Sequence, residues 1–118
     1  KWLFCYRTGD EVKLKLFRQK VDLTKYIDEH HFNFDRAFGE SSNNQEVYED
    51  CVKPIVHCAF LGAKVTCFAY GQTGSGKTYT MNGDSSQKVL GLYVLGAQDI
   101  FKLRDSQFKG LGVSMSFY

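Results

Sequence analysis

The sequence lacks the features that mark membrane and secreted proteins. It contains no apolar run near the roughly 20 residues that a membrane-spanning helix needs. Its first residues, Lys1 to Cys5, lack the charged region and long apolar region of a signal peptide. The chain does not begin with Met, so we expect it to be a piece of a longer protein. It also has no internal repeat and no low-complexity tract.

Metal and redox motifs are missing as well. No two cysteines form a C-x-x-C pair, and the histidines do not complete a metal-ligand set with them. We therefore expect reduced, partly buried thiols in a cytosolic protein, and solvated or packed histidines instead of a zinc site. The residues concerned are Cys5, Cys51, Cys58, Cys67, His30, His31 and His57.

The net charge is small, +2, but it is unevenly distributed. Residues 1–25 carry seven basic and three acidic side chains, a net +4, whereas the other residues carry eight bases and ten acids, a net −2. A basic section of this kind fits an acidic partner and an ordinary solvated hairpin equally well. The length of 118 residues, 43% of them hydrophobic, fits one globular domain.

The N-terminal section predicts a β-hairpin and a third strand. Apolar patterning predicts strands over 2–6 and 12–17, joined by the turn signal Thr8-Gly9-Asp10. In residues 12–16 apolar and basic residues alternate, which predicts one buried face and one cationic face. Residues 20–24 predict a loop returning to the sheet, and 31–35 predict another strand.

A helix follows the polar residues 41–44. These supply an N-cap, and Glu46 lies close to the capping-box position. Pro54 predicts a kink or break inside the helix, and Gly62 a plausible end. The apolar face predicted by helical spacing consists of Val47, Cys51, Ile55, Cys58 and Ala59.

The second half predicts strand, helix, helix and strand. A buried strand over 65–70 leads to a helix from Gly76, which a loop at 82–87 interrupts. Helical spacing resumes at Gly91, and 113–118 alternates like a strand. The order of elements predicts an α/β fold of the P-loop NTPase type, a mixed sheet with flanking helices and an N-terminal β-hairpin. The remaining apolar helix positions are Leu92, Leu95, Ile100, Phe101 and Leu103.

The most specific motif is a complete G-x-x-x-x-G-K-[ST] sequence between the predicted strand and helix, the context that this phosphate-binding loop requires. Backbone N–H groups and the helix dipole make such a turn an anion site. Lys77 is placed to reach the β- and γ-phosphates, and the Thr78 hydroxyl is placed to bind Mg²⁺. The predicted nucleotide-binding residues are Gly71, Gln72, Thr73, Gly74, Ser75, Gly76, Lys77, Thr78 and Tyr79.

Four runs of sequence resemble the motor domain of kinesins, from about residue 12 to the end of the chain. They are FAYGQTGSGKTYTM at 68–81, FNFDRAF at 32–38, NQEVY at 44–48 and VSMSFY at 113–118. The resemblance implies that the chain is the N-terminal part of one incomplete motor domain that uses ATP or ADP with Mg²⁺. Its implied partner is the microtubule, in the cytoplasm and on the spindle, and neither nucleic acid nor a membrane. In this family the position of Tyr79 packs near the adenine.

The run KVDLTKY at 20–26 resembles the internal-motor, kinesin-thirteen class. Members of that class depolymerise microtubules at their ends. The resemblance implies that Lys20, Val21 and Asp22, at the tip of the basic hairpin, contact tubulin, whose surface is acidic. The loop at 82–90 is shorter than is usual in the class.

The family's two switch motifs and its adenine-flanking R-x-R-P segment do not occur in these 118 residues. Because phosphoryl transfer depends on such positioning groups, we expect the parent protein to be an ATPase and this stretch alone to be catalytically incomplete, with no catalytic residue of its own. A non-catalytic microtubule-binding module with a structural nucleotide site is the alternative. An unrelated P-loop kinase or GTPase is disfavoured, since no guanine-specific N-K-x-D motif is present. Oligomeric state, cargo and regulators remain open.

Overall fold

The computed structural model describes residues 3–8 and 11–116, with side chains from residue 11 onward. The chain divides into two compact units, Lys1–Ser42 and Asn43–Tyr118, which are taken separately below. Among the described residues, no helix is long and apolar enough to cross a membrane.

The N-terminal unit is a three-stranded antiparallel sheet in the order β1-β2-β3. The strands are β1 (Leu3–Thr8), β2 (Glu11–Gln19) and β3 (Lys25–Asn33). The predicted hairpin is confirmed, with both strands running past their predicted ends. Its register pairs Thr8 with Glu11. Trp2 and the Gly9-Asp10 part of the predicted turn lie outside the described residues.

The predicted bounds of the third strand were wrong, because β3 begins six residues earlier, at Lys25, and ends at Asn33. Residues 25–30 carry little apolar alternation, so the usual period-two signal of a strand is missing there. Cross-strand ion pairs take its place. The Lys15 Nζ lies 2.7 Å from Glu29 Oε1, and the Arg18 Nε lies 3.1 Å from Asp28 Oδ2.

The structure does not have the two faces predicted for β2, one buried and one cationic. Residues 11–16 are all half-buried, so neither face is fully covered by the described part of the chain. The predicted cationic face is neutralised, because Lys13 Nζ lies 3.3 Å from Glu11 Oε2 and Lys15 pairs with Glu29. The positive charge of this section is therefore not displayed along the strand.

The second unit begins with a capped helix. The N-cap is Asn43, whose Oδ1 accepts the Glu46 backbone N–H at 2.9 Å, as the polar run at 41–44 predicts. Helix α1 (Asn44–Val47) leads through a π-helical turn (Tyr48–Val52) into α2 (Lys53–Phe60). Gly62, at φ +91°, follows the helix, as predicted, and Ala63 N–H donates to the Cys58 carbonyl.

The π turn explains why the predicted apolar face was wrong by one position. Its Lys53 N–H donates to the Tyr48 carbonyl five residues back, just before Pro54, which has no N–H to donate. The widened turn brings residues four apart onto one line, so Tyr48, Val52 and Val56 are buried. The predicted Cys51, Cys58 and Ala59 are exposed, while Val47 and Ile55 are partly buried against the core.

Two more helices and a short hairpin complete the unit. They are α3 (Lys77–Asn82), β4 (Gly83–Asp84), β5 (Val89–Leu90) and α4 (Leu92–Ser106). The helices predicted from Gly76 and Gly91 are confirmed, and the predicted loop between them forms the hairpin turn. Two α4 residues, Leu92 and Leu95, join the buried cluster, and Ile100 and Leu103 pack against it. Phe101 is exposed.

The predicted strands at 65–70 and 113–118 are not formed by the described residues, which are irregular at 63–72 and 111–116. The last two residues of the second prediction, Phe117 and Tyr118, lie outside the described residues. A strand needs a hydrogen-bonded neighbour, and the described part of the chain pairs none with either segment. Phe68 is accordingly 77% exposed. Both segments, through Val65 and Met115, line an apolar cavity of about 570 Å³ against α2 and α4. The described sheets are therefore antiparallel, and the expected mixed sheet is not among them.

Candidate functional site

The glycine-rich motif at 71–78 runs into α3, whose first two residues are Lys77 and Thr78. Gly74 and Gly76 have φ of +80° and +87°, in the left-handed region where a side chain is strained. Gly76 is the N-cap of α3, so the chain turns sharply from the loop into the helix at Lys77. The Thr80 N–H donates to the Gly76 carbonyl at 3.0 Å and closes the first helical turn.

The first half of the loop is tightly folded. The Ser75 N–H donates to the Gln72 carbonyl at 3.2 Å. A Cβ added at Gly71 would lie 2.6 Å from Ser75 Oγ, so this position has room only for glycine unless the serine moves. The motif's spacing therefore corresponds to a compact turn, in which two glycines accept unusual dihedral angles and a third accepts close contact.

Lys77 folds back over this turn. Its Nζ donates to the carbonyl oxygens of Gly71 at 2.9 Å and Gln72 at 2.7 Å. These bonds hold one positive charge against the loop. Thr78, the next residue, is exposed at the start of α3.

A residue that the sequence did not single out fixes the far side of α3. Asn44 is only 6% exposed, and it is the one buried polar residue among those described. Its Nδ2 donates to the Tyr79 carbonyl at 3.0 Å and to the Leu90 carbonyl at 3.1 Å. The side chain thus ties α1 to α3 and β5. The sequence marked it only as part of a capping run and of the NQEVY run at 44–48, and Asn43, one residue earlier, is the cap itself.

A second candidate site, in the N-terminal unit, is the tip between β2 and β3. The Lys20 N–H donates to the Thr24 carbonyl at 2.9 Å, and the Leu23 N–H donates to the Lys20 carbonyl at 3.0 Å. The Gln19 Nε2 donates to the Leu23 carbonyl at 3.1 Å, and Asp22 Oδ1 accepts the Thr24 N–H at 3.0 Å. That last bond lowers the pKa of Asp22 below its ordinary value. The loop predicted at 20–24 is therefore an ordered turn.

The side chains of this tip are open to solvent. Val21 is fully exposed and Leu23 is 73% exposed. The backbone of Leu23 has φ +68°, in the left-handed region. The Lys20 Nζ lies 5.9 Å from the centre of the Tyr26 ring, over its face. Lys20 and Lys25 make no ion pair within the described part of the chain, in contrast to the lysines along β2.

Two of the three histidines, His30 and His31, lie on the charged surface of the sheet, whereas His57 lies in α2. His31 Nδ1 lies 2.6 Å from Glu11 Oε1, and His30 Nε2 lies 3.3 Å from Asp28 Oδ2. The contact with His31 is the main reason why the pKa of Glu11 is lowered. Within the described residues, no group of three or more His, Cys, Asp or Glu side chains is arranged to hold a metal ion.

Comparison with known proteins gives a family match over nearly the whole chain. The model of the kinesin motor domain matches residues 6–118. Two curated relatives are named kinesin-like protein KIF24: the mouse protein is 50% identical and the human protein 52% identical, each over 103 residues. Each alignment covers 86% of this chain and 7% of the relative. The chain therefore spans a small part of the relatives' length.

A solved structure of KIF14 with ADP in complex with a microtubule is also similar. The TM-score is 0.67 at 27% sequence identity, and the match covers 90% of this chain and 29% of the KIF14 chain. The arrangement of helices and β-hairpins therefore corresponds to part of a motor-domain fold.

Proposed function

Because the chain belongs to the kinesin motor-domain family, we propose that residues 71–78 are the ATP-binding loop of a microtubule-based motor. The observation that carries this proposal is the geometry of the loop itself. A compact glycine turn runs directly into α3, and the Lys77 ammonium is held against it by two carbonyls. The KIF14 structure, which contains ADP and a microtubule, supports the same ligand and the same partner here.

Each side chain of the loop has a separate role in this proposal. The Lys77 charge moves from its two carbonyls to the β- and γ-phosphates, and the Thr78 hydroxyl binds Mg²⁺, a cation that prefers oxygen ligands. An ion held there would supply neutralisation of the phosphate charge. Tyr79, which is half-exposed, packs near the adenine while its carbonyl stays bonded to Asn44.

Replacing Lys77 with Ala in the complete motor tests this assignment. We expect microtubule-stimulated ATP turnover to be abolished, because the charge that meets the phosphates is gone. A matched control is Lys109→Ala, which removes an exposed lysine outside the loop and leaves turnover unchanged. Turnover that persists at the parental rate in Lys77→Ala would rule out this ATP site. A parent motor that binds microtubules without any turnover would support the non-catalytic module instead.

We also propose that the parent is a microtubule depolymerase, in which the tip contacts tubulin. The run KVDLTKY at 20–26 supports this class, and the structure supports the accessibility that a contact needs, since Val21 is fully exposed. The cations along β2 are neutralised by glutamates and an aspartate, whereas Lys20 and Lys25 have no ion pair within the described residues. Positive charge is thus available to an acidic partner at this end of the sheet.

A triple replacement of Lys20, Val21 and Asp22 with Ala in the complete motor tests the depolymerase proposal. Shortening of microtubules should be impaired more than co-sedimentation with the lattice, because lattice binding depends on distributed charge. The matched control replaces three exposed residues of the other unit, Gln107, Lys109 and Leu111. Lattice binding of all variants should weaken with salt, since exposed charges are screened within about 10 Å at 0.1 M ionic strength. Unchanged shortening by the tip variant would show that the tip does not carry this activity, and a parent motor that shortens no microtubules would overturn the depolymerase proposal.

A further inference from the structure

Helix α3, which carries Lys77, Thr78 and Tyr79, has little packing of its own. It has six residues, each of which the structure describes, and none of them is buried. Met81, near the end of the helix, is partly buried against the apolar cluster. A helix this short is marginal in water and depends on tertiary contacts. The position of the nucleotide-binding residues on α3 is therefore set by the contacts that hold the helix from outside.

Asn44 supplies such a contact from α1. Its Nδ2 donates to the Tyr79 carbonyl of α3 at 3.0 Å and to the Leu90 carbonyl of β5 at 3.1 Å. Both acceptors are carbonyl oxygens, so the amide must turn its NH₂ group toward them, and each of its two N–H donors has one acceptor. The residue is only 6% exposed, where a polar group without partners is costly. An amide in this place is thus matched to two carbonyls on distant segments.

Both ends of this contact are firmly placed. The Asn44 carbonyl accepts the Tyr48 backbone N–H, and Tyr48 is only 1% exposed within the buried cluster. On the other side, a Cβ added at Gly91 would collide with the Met81 carbonyl oxygen, so the end of the hairpin lies directly against the end of α3. Asn44 therefore connects the buried cluster with α3 and the hairpin at the point where those two segments meet.

We propose that Asn44 is a positioning residue for nucleotide binding, which holds α3 in place through the Tyr79 carbonyl. This inference rests on the proposed ATP site at 71–78. Asn44 acts through the helix and not on the nucleotide. Without its amide, α3 can shift against the buried cluster, and the shift displaces Lys77 and Thr78 from the phosphates and the metal. The affinity for nucleotide then falls although every side chain of the loop is present.

The test is the affinity of the complete motor for ADP in the presence of Mg²⁺, measured by equilibrium titration. Asn44→Ala should bind ADP roughly tenfold more weakly, the scale of effect seen when a group that orients a metal ligand is lost. The matched control is Asn43→Ala, which removes the neighbouring side chain that caps the same helix through the Glu46 N–H. Both variants should lower the midpoint of chemical denaturation, but Asn43→Ala should bind ADP with the parental affinity.

The contrast between these neighbours separates positioning from general stability. Parental ADP affinity in a folded Asn44→Ala variant overturns the positioning role. Equal weakening in Asn43→Ala overturns it too, because loosening of α1 by any means would then be sufficient. If Asn44→Ala does not fold, Asn44→Asp provides the same test. Its carboxylate fills the same space but offers the two carbonyls no N–H, so it should also weaken ADP binding, and parental affinity there contradicts the proposal.

Lys77→Ala in the same titration distinguishes failure of this inference from failure of the ATP site. If the loop binds the phosphates, Lys77→Ala weakens ADP binding whether or not Asn44 positions α3. Weakening in Lys77→Ala together with parental affinity in the Asn44 variants refutes only the positioning role. Parental affinity in Lys77→Ala refutes the ATP site, and the inference that rests on it.

Discussion

The two units of this chain are stabilised by different forces. The helical unit, Asn43–Tyr118, has a buried apolar cluster, whereas among the described side chains of the N-terminal unit only Ala37 is buried. The sheet of the N-terminal unit carries cross-strand ion pairs instead, which are weak at a surface and sensitive to salt. We therefore expect the stability of the phosphate loop to depend on packing, and that of the sheet to depend on solution conditions. The cluster consists of Tyr48, Val52, Val56, Leu92 and Leu95.

The largest effect should follow from opening the cluster. Leu95→Ala removes a side chain that is 5% exposed and leaves a cavity, which costs about 2–5 kcal/mol of unfolding free energy. The neighbour Val94, 41% exposed, provides the control, since Val94→Ala should cost far less. Chemical denaturation of the complete motor domain measures both values. Equal losses would show that the cluster is not what stabilises this unit.

A smaller effect should come from the one polar contact of the cluster. The Tyr48 hydroxyl donates to Asp99 Oδ2 at 2.9 Å, and burial together with this bond raises the pKa of Tyr48 above its ordinary value of 10.0. Tyr48→Phe should cost about 1–3 kcal/mol of unfolding free energy at neutral pH. Because the folded state holds the phenol proton more tightly, the tyrosine's contribution is complete below pH 10 and is lost as the pH rises above it. The difference between parent and variant in denaturation experiments should therefore narrow above pH 10, and a constant difference would contradict this account.

The smallest effect should be found in the sheet. The hydrogen bond from Lys15 lowers the pKa of Glu29, so this pair stabilises the sheet at neutral pH and stops doing so as acid protonates the carboxylate. Glu29→Gln should speed amide hydrogen exchange along β2 and β3 at neutral pH and low salt. The difference should disappear in acid and at 1 M salt, where the screening length is about 3 Å. Glu40→Gln, at an exposed glutamate outside the sheet, is the control. A difference that survives both conditions would mean that the pair acts through packing.

Local signals predicted the elements whose cause is local. The cap at Asn43, the end at Gly62 and the start of α4 after Gly91 each depend on neighbouring residues, and the structure has all three. The compact turn at the glycine-rich loop is likewise encoded by residue type. The same local chemistry accounts for the ordered turn at 20–24.

The features that were predicted wrongly or missed depend on partners far along the chain. The start of β3 at Lys25 is set by pairing with β2, and the segment at 65–70 lacks a paired strand among the described residues. The π turn shifted the buried face, and neither Pro54 nor the spacing of apolar residues indicates the size of such a shift. Asn44 resembles any other capping residue until its two distant carbonyl acceptors are known.

The π turn holds one residue more than a turn of regular α-helix. It lies between Asn44, which holds α3 and β5, and Val56 in the core. Successive side chains of an α-helix are rotated about the helix axis by about 100°. Because the wider turn absorbs that residue, loss of one codon within Tyr48–Val52 would restore regular helix and leave the Asn44 amide facing the Tyr79 carbonyl. A single-residue deletion should therefore be better tolerated inside this turn than in the regular helix on either side, where it would rotate one flank by about 100° against the other.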